Sequence, residues 1–323
     1  MFSHKDIEYR SIYVITCLNK RDLRVSNGEL LLEDTKNKKV LTKIPFPKVL
    51  ILFVIGHIRI TTPLIEKCQD HNVALVVTKL TLRPVFYWAN SAEANFLLRK
   101  QQYTQVGCNM AIARRLVCNK LMNQISLLQR TRRNDDATQK TIAYCRLSME
   151  HATAHSETLT ELMALEGRTS KLFFKAYFQD YNWRGRKPRA KCDYINVVLD
   201  IGYTYLFNFM ECFVRMFGFD VYAGVYHQLW FKRKSLVCDL IEPFRCIIDH
   251  TIRTGLNRKQ IIVDDFEYLD DKWQLKHEHI QDYGRLFFDS LILHKVEIFR
   301  YVQQYYRAFM REKSMDEYPL FEI

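Results

Sequence analysis

Four side chains in the second half of this 323-residue chain, Glu166, His227, Asp239 and Glu242, are of the types that bind a divalent metal or move a proton. Glu166 lies in LTELMALEGRTSKLFFKAYF, residues 159–178, where Leu162, Glu166, Thr169, Phe173 and Tyr177 follow at gaps of four, three, four and four. That spacing lines up one helix face, so the Glu166 carboxylate points where hydrocarbon is buried. A lone ionised carboxylate is costly there, which leaves it neutral, paired with a base, or bound to a metal. An arginine partner at the core edge would make it purely structural.

Asp239 and Glu242 stand three residues apart in SLVCDLIEPFR, so a helix running on from Leu236 puts both carboxylates on one side. Pro243 removes a backbone donor and disfavours helix at the residue before it, which predicts a kink at Glu242. His227 sits on the Gly-containing loop GFDVYAGVYH, twelve residues before Asp239. Alone, such a histidine is structural or exposed; it becomes a ligand only if the fold gathers the four.

The elements that must position them fall in two groups. From Ser11 to about Trp88 the pattern is that of strands: residues 11–17, 23–26, 29–33, 39–44, 49–55, 73–78 and 85–88. Asn27-Gly28 marks a tight hairpin. One short helix is expected, capped by Thr62 with Pro63 at its first position and running to about Asp70. Beyond residue 90, three-and-four periodicity holds over 92–107, 109–130, 136–154, 159–181, 193–217, 236–254 and 279–311. The reading is an α+β protein: a small N-terminal mostly-β domain with one short helix over 1–90, without catalytic residues, and a larger all-helical catalytic domain over 91–323. The acidic stretch 264–271 reads as a solvated turn or hairpin between helices.

A hydrophobic fraction of 48% is ample for a core, while a net charge of +12 attracts polyanions, nucleic acid first and anionic membranes second. Basic residues cluster at Arg114-Arg115, at 130–133, and at Arg184, Arg186, Lys187, Arg189 and Lys191. Gly185 and Pro188 make the last cluster a loop leaving the Glu166 helix, and a basic loop beside an acidic site suits a phosphodiester. Nine cysteines with no CxxC spacing suggest neither a disulfide framework nor a zinc ribbon, and fit a reducing cytoplasm. The first ten residues, MFSHKDIEYR, are polar and read as lacking the apolar core of a signal peptide, and the apolar runs 49–60 and 197–216 are too short or too polar to be expected to span a membrane. His277-Glu278-His279 diverge on a helix and read as a charged face rather than a zinc site. Phe209 and Phe213 read as core; Tyr203, Tyr301, Tyr305 and Tyr306 stay open.

LEGRTSKLFFKAYF, the basic loop with DYINVVLDIGYTYLF, GFDVYAGVYH and SLVCDLIEPFR resemble, in order and spacing, the motifs of the CRISPR-associated endonuclease and integrase that captures new spacers. GHIRITTPLIEKCQDHNVALVV is similar to that family's strand–helix–strand segment, so the resemblance runs from about residue 12 to 254. It implies Glu166, His227 and Glu242 as ligands of Mg²⁺ or Mn²⁺, with Asp239 at a further acidic position of the site. The loop before His227 lacks a proline usual in the family.

The implied activity is metal-dependent DNA cleavage and joining, in which the 3′-hydroxyls of a short DNA fragment attack phosphodiesters at the ends of a CRISPR repeat. The resemblance also implies a prokaryotic cytoplasmic homodimer, two dimers being bridged by a small second CRISPR adaptation protein on double-stranded DNA. From charge and position, Arg184, Arg186, Lys187 and Arg189 would hold backbone phosphates. The rival reading is a non-catalytic basic helical protein that binds DNA or RNA, with Glu166 and His227 structural.

Overall fold

The computed structural model describes residues 4–17, 21–89, 95–105, 109–131 and 135–323. Its first sheet has the order β1-β5-β6-β7: β1 (Ser11–Cys17), β5 (Val49–Gly56) and β6 (Ala74–Thr78) are parallel, and β7 (Pro84–Trp88) is antiparallel. Between β1 and β5 the chain makes a second, antiparallel sheet of β2 (Arg21–Ser26), β3 (Glu29–Asp34) and β4 (Lys39–Pro45). Asn27 and Gly28 both take positive φ in the β2–β3 turn, as an Asn-Gly hairpin requires.

Two details differ from the sequence expectation. The helix α2 (Thr62–Asp70) has Thr61 as its cap and Pro63 one position further in. A second short helix, α1 (His4–Tyr9), precedes β1; tertiary contact holds it, with Ile7 fully buried and Arg10 donating from Nε to the Val49 carbonyl at 2.9 Å.

β5 reads VLILFVIG, with every residue but the last buried. Such an unbroken run suits a parallel strand covered on both faces. Leu52, Val54, Leu75 and Val77 pack with Leu30 and Ile44 of the second sheet and Leu64 and Cys68 of α2. Ile51, Phe53, Ile55, Ala74 and Val76 join the helical core instead. Phe53 meets Phe288 edge-on at 5.1 Å, and the Tyr87 hydroxyl donates to the Cys212 carbonyl at 3.1 Å. The change near residue 90, at the edge of a stretch outside the described residues, is thus one of secondary structure; the hydrophobic core runs across it.

The helical part comprises α3 (Phe96–Thr104), α4 (Met110–Arg130), α5 (Asp136–Ala154), α6 (Leu159–Tyr177), α7 (Tyr194–Met216), α8 (Ser235–Ile241), α9 (Arg245–Asn257), α10 (Ile280–Leu293) and α11 (Lys295–Met310). It also carries the hairpin β8 (Phe266–Leu269) and β9 (Lys272–Leu275), turned at Asp270-Asp271, so it is mostly rather than wholly helical. The single periodic stretch read over 279–311 is two helices meeting at His294. α7 is the central helix; it is long and apolar enough to cross a membrane, but 78% of its most apolar window is buried in the protein.

Candidate metal centre

A capping box starts α6: the Thr158 hydroxyl accepts from the Glu161 N–H at 3.2 Å and the Glu161 carboxylate accepts from the Thr158 N–H at 3.3 Å. One face of the helix then buries Leu162, Thr169, Phe173 and Tyr177, as the periodicity predicts. Glu166 emerges at the edge of this face with its side chain 19% exposed, and Ser170, one turn on, donates to its Oε1 at 2.8 Å.

The partner that sequence reasoning missed is Lys120. It belongs to a buried polar seam of α4 formed by Asn119, Lys120, Asn123 and Gln124. Its ammonium donates to Glu166 Oε1 and, at 2.7 Å, to Glu242 Oε2. Glu242 lies in a 3₁₀ turn (Glu242–Phe244) between α8 and α9, the kink that Pro243 predicts, and its Oε1 faces Arg245 at 3.0 Å. Burial raises the Glu242 carboxyl, but Arg245, Lys120 and His227 outweigh it and hold the group at about 2, below its ordinary 4.5. Burial likewise works against the Lys120 ammonium, and Glu166 and Glu242 reverse this, leaving it above 10.5. Two carboxylates from distant segments thus converge on one cation.

Asp239 faces elsewhere. It is fully buried, and its Oδ2 accepts from the N–H groups of Val225 and Tyr226 at 2.7 and 3.1 Å. Its Oδ1 accepts from the His227 N–H at 2.8 Å and sits 2.7 Å from His227 Nδ1. The carboxylate therefore moulds the His227 loop around itself. A Cβ at Gly224 would lie 2.7 Å from Asp239 Oδ2 and 2.8 Å from the Ser235 carbonyl carbon, so only glycine lets the loop come this close. With Nδ1–H donated to Asp239, His227 keeps Nε2 as a lone-pair donor, the tautomer a metal-ligating histidine needs.

Glu166, His227 and Glu242 line one cleft of about 1640 Å³, and Arg184, Arg186, Lys187 and Arg189 line it too. The basic loop is braced by the start of α7. Asn196 donates to the Gly185 carbonyl at 3.1 Å and accepts from the Lys187 N–H at 2.8 Å, while Asp200 accepts from the Arg189 N–H at 3.1 Å. Gly185, Arg189 and Lys191 take positive φ along it. Arg186 belongs to the brace: its guanidinium is 2.5 Å from Asp200 and 5.5 Å from the centre of the Tyr203 ring. Arg184, Lys187 and Arg189 remain exposed.

Tyr203 is buried, with its hydroxyl 2.5 Å from Asp249, and so belongs to the cleft wall. Tyr301 and Tyr305 are core. Of the other basic clusters, Arg114 donates to the Ser156 carbonyl at 3.1 Å and Arg115 to that of Tyr318 at 3.0 Å, both acting as staples, while 132–133 lie outside the described residues.

Among the described residues no three His, Cys, Asp or Glu side chains are gathered as a ready ligand set. The donor chemistry nonetheless fits a hard divalent ion. Two carboxylates already share a cation, and an imidazole nitrogen held in the right tautomer lines the same cleft. Such an ion would take the place of the Lys120 ammonium.

A strand-rich layer on a helical body, with paired carboxylates opening on a cleft lined by arginine and lysine, defines the class of structure to which the chain is compared. Residues 14–287 match the family model described as "CRISPR associated protein Cas1". A CRISPR-associated endonuclease, Cas1 3, of Thermus thermophilus is 25% identical over 264 residues, covering 79% of this chain and 77% of its own. Two solved structures share the fold: a partial Cas6-RT-Cas1–Cas2 complex (TM-score 0.70, 20% identity, 97% of this chain and 99% of that one) and a casposase bound to integration product (TM-score 0.75, 15% identity, 96% and 94%). The chain belongs to the Cas1 family.

Proposed function

We propose that this chain is a CRISPR adaptation integrase, a DNA endonuclease and transesterase dependent on Mg²⁺ or Mn²⁺. The observation that carries the reading is the convergence of Glu166 and Glu242 on one cation at the wall of a basic cleft. Glu166, Glu242 and His227 Nε2 would hold the ion, with Asp239 fixing the histidine from behind. When bound, a divalent ion supplies Lewis-acid activation of the phosphodiester and of the attacking hydroxyl.

The remaining work falls to the protein itself. Arg184, Lys187 and Arg189 hold backbone phosphates, which gives affinity and register without sequence choice. The cleft brings a DNA 3′-hydroxyl to the carboxylates, where its attack on a repeat phosphodiester forms a new P–O ester bond as the bond from phosphorus to the 3′ oxygen of the cut strand breaks. That oxygen leaves as a 3′-hydroxyl, with a proton in place of the one the attacking hydroxyl gives up; water in the same position gives hydrolysis with the same leaving group. Two attacks on opposite strands need two sites, which supports a homodimer. The fold shared with a Cas1–Cas2 assembly supports a small Cas2 partner, and the reading places the protein in a prokaryotic cytoplasm.

The test is strand transfer of a labelled short duplex into a supercoiled plasmid carrying a CRISPR repeat, with Mn²⁺ or EDTA. Joined product that needs the metal, Glu166 and His227 is expected, with Glu166→Ala still folded and still binding DNA. A complete complex that binds DNA but never joins or cuts it would establish the rival binding protein.

A further inference from the structure

Glu166 has a second support besides Lys120, and the chemistry above does not use it. Helices α4 and α6 are linked by two polar rungs one helical turn apart, since Lys120 and Gln124 stand four residues apart on α4 and Glu166 and Ser170 four apart on α6. The first rung joins Lys120 to Glu166. In the second, Gln124 Nε2 donates to Ser170 Oγ at 3.3 Å. Because Ser170 accepts from Gln124, its single hydroxyl proton is directed to Glu166 Oε1, 2.8 Å away. All four side chains line the cleft.

The rungs differ in what metal loading does to them. An ion on Glu166 and Glu242 displaces the Lys120 ammonium, so the first rung breaks on loading. The second carries no charge and survives, which leaves Ser170 holding the carboxylate while its other partner departs. One atom of this surviving rung is unmet: Gln124 is only 3% exposed, and its buried Oε1 accepts no hydrogen bond among the described residues. A buried carbonyl in that state is costly. It lies one turn along α4 from Lys120, the spacing at which helical side chains reach one another. A displaced ammonium swinging by one turn therefore meets a free acceptor without losing its cover or its charge.

We infer that Ser170 and Gln124 are positioning residues: Ser170 fixes Glu166 for the ion, and the Gln124 carbonyl receives the Lys120 ammonium that the ion displaces. The inference rests on the metal-dependent reading and deepens it by giving the resident cation of the site a defined second seat.

The test is Mn²⁺ affinity of the DNA-free protein, with free Mn²⁺ counted by electron paramagnetic resonance and melting in EDTA recorded alongside. Ser170→Ala should lose about tenfold in Mn²⁺ affinity, in the range found when a group supporting a metal ligand is removed, and Ser170→Thr should regain it. Gln124→Met should lose more, up to about a hundredfold, because it removes both the support of Ser170 and the seat for Lys120. Placed on Lys120→Met, which has no ammonium to seat, the Gln124→Met loss should shrink to that of Ser170→Ala.

Ser170→Ala with wild-type Mn²⁺ affinity would overturn the positioning role, whatever its melting temperature, since a merely structural contact lowers melting and leaves the affinity alone. An equal Gln124→Met loss with and without Lys120 would overturn the seat. Wild-type protein with no affinity for Mn²⁺ would overturn both together with the metal-dependent reading. Strand joining is measured in parallel: a protein that binds Mn²⁺ in the expected pattern yet never joins DNA sinks the integrase reading alone, and a joining enzyme whose Mn²⁺ affinity ignores Ser170 and Gln124 sinks the positioning roles alone.

Discussion

One carboxylate oxygen, Asp239 Oδ1, holds His227 twice, by its backbone N–H at 2.8 Å and its ring Nδ1 at 2.7 Å. The acid three residues before Glu242 therefore sets both the path of the loop and the tautomer of the ring.

Asp239→Ala leaves three backbone donors and a ring N–H without their acceptor in a buried place. We expect a loss of about 3 kcal/mol or more in urea unfolding, since removing one partner of a buried charged network costs about 3–5 kcal/mol. Asp239→Asn keeps the volume but must turn an amide N–H₂ toward donors. It should lose joining activity more than stability, with ¹⁵N shifts of His227 reporting a changed tautomer. An unchanged histidine spectrum would show that Asp239 does not set the tautomer.

Lys120→Met removes the cation that Glu166 and Glu242 share. Without metal the two carboxylates then repel, and melting in EDTA should fall by several degrees, corresponding to about 2–4 kcal/mol. Mn²⁺ should raise the melting temperature of Lys120→Met by more than it raises that of the wild type, because no ammonium has to withdraw. Equal Mn²⁺ shifts would place the ion elsewhere.

The basic loop divides into contacts and brace. Replacing Arg184, Lys187 and Arg189 together by alanine should weaken binding to all DNA alike and lower the salt slope by up to about three, at about 0.9 per phosphate contact. Arg186→Ala should instead lower stability, through the lost Asp200 pair, with less effect on the slope. A triple variant with the wild-type salt slope would remove the loop from the DNA path.

Asp249 gives a pH signature. Burial lifts its carboxyl from an ordinary 3.8 to about 7, while the Tyr203 hydroxyl and the nearby Arg245, Lys120 and Arg186 only partly offset this. The folded protein then holds a proton that the unfolded chain releases, so this group's contribution to stability falls as pH rises from 3.8 through 7. Asp249→Asn cannot titrate, so its stability relative to the wild type should improve between pH 4 and pH 8 by up to about 4 kcal/mol, at about 1.4 kcal/mol per pH unit. Urea unfolding at the two pH values checks this; a constant difference would mean that Asp249 titrates like an exposed carboxylate.

Local pattern carried much of this site. The face of α6 was legible because its apolar residues recur at helical spacing, and the kink at Glu242 because proline acts on its own neighbours. Partnership was not legible. Lys120 and Glu166 are 46 residues apart, and nothing local couples them. A signal did exist in α4, where Asn119, Lys120, Asn123 and Gln124 form a polar stripe on a buried face. Asp239 and Glu242 share a spacing but not a direction, because the helix tightens to a 3₁₀ turn between them. Likewise Arg186 is indistinguishable in sequence from its exposed neighbours until Asp200 comes round to meet it.

The double-faced strand β5 has a consequence for how the chain reaches this structure. VLILFVIG needs partners on both edges and cover on both faces, and these come from segments made both before and long after it. Until the helical body arrives, a growing chain carries an uncharged, strongly β-prone run of the kind that zips into cross-β stacks. Slow assembly of its parallel pairs prolongs that exposure. Yield of soluble protein should therefore depend on synthesis rate and temperature more than on the stability of the finished fold, and a fragment ending near residue 90 should aggregate rather than fold.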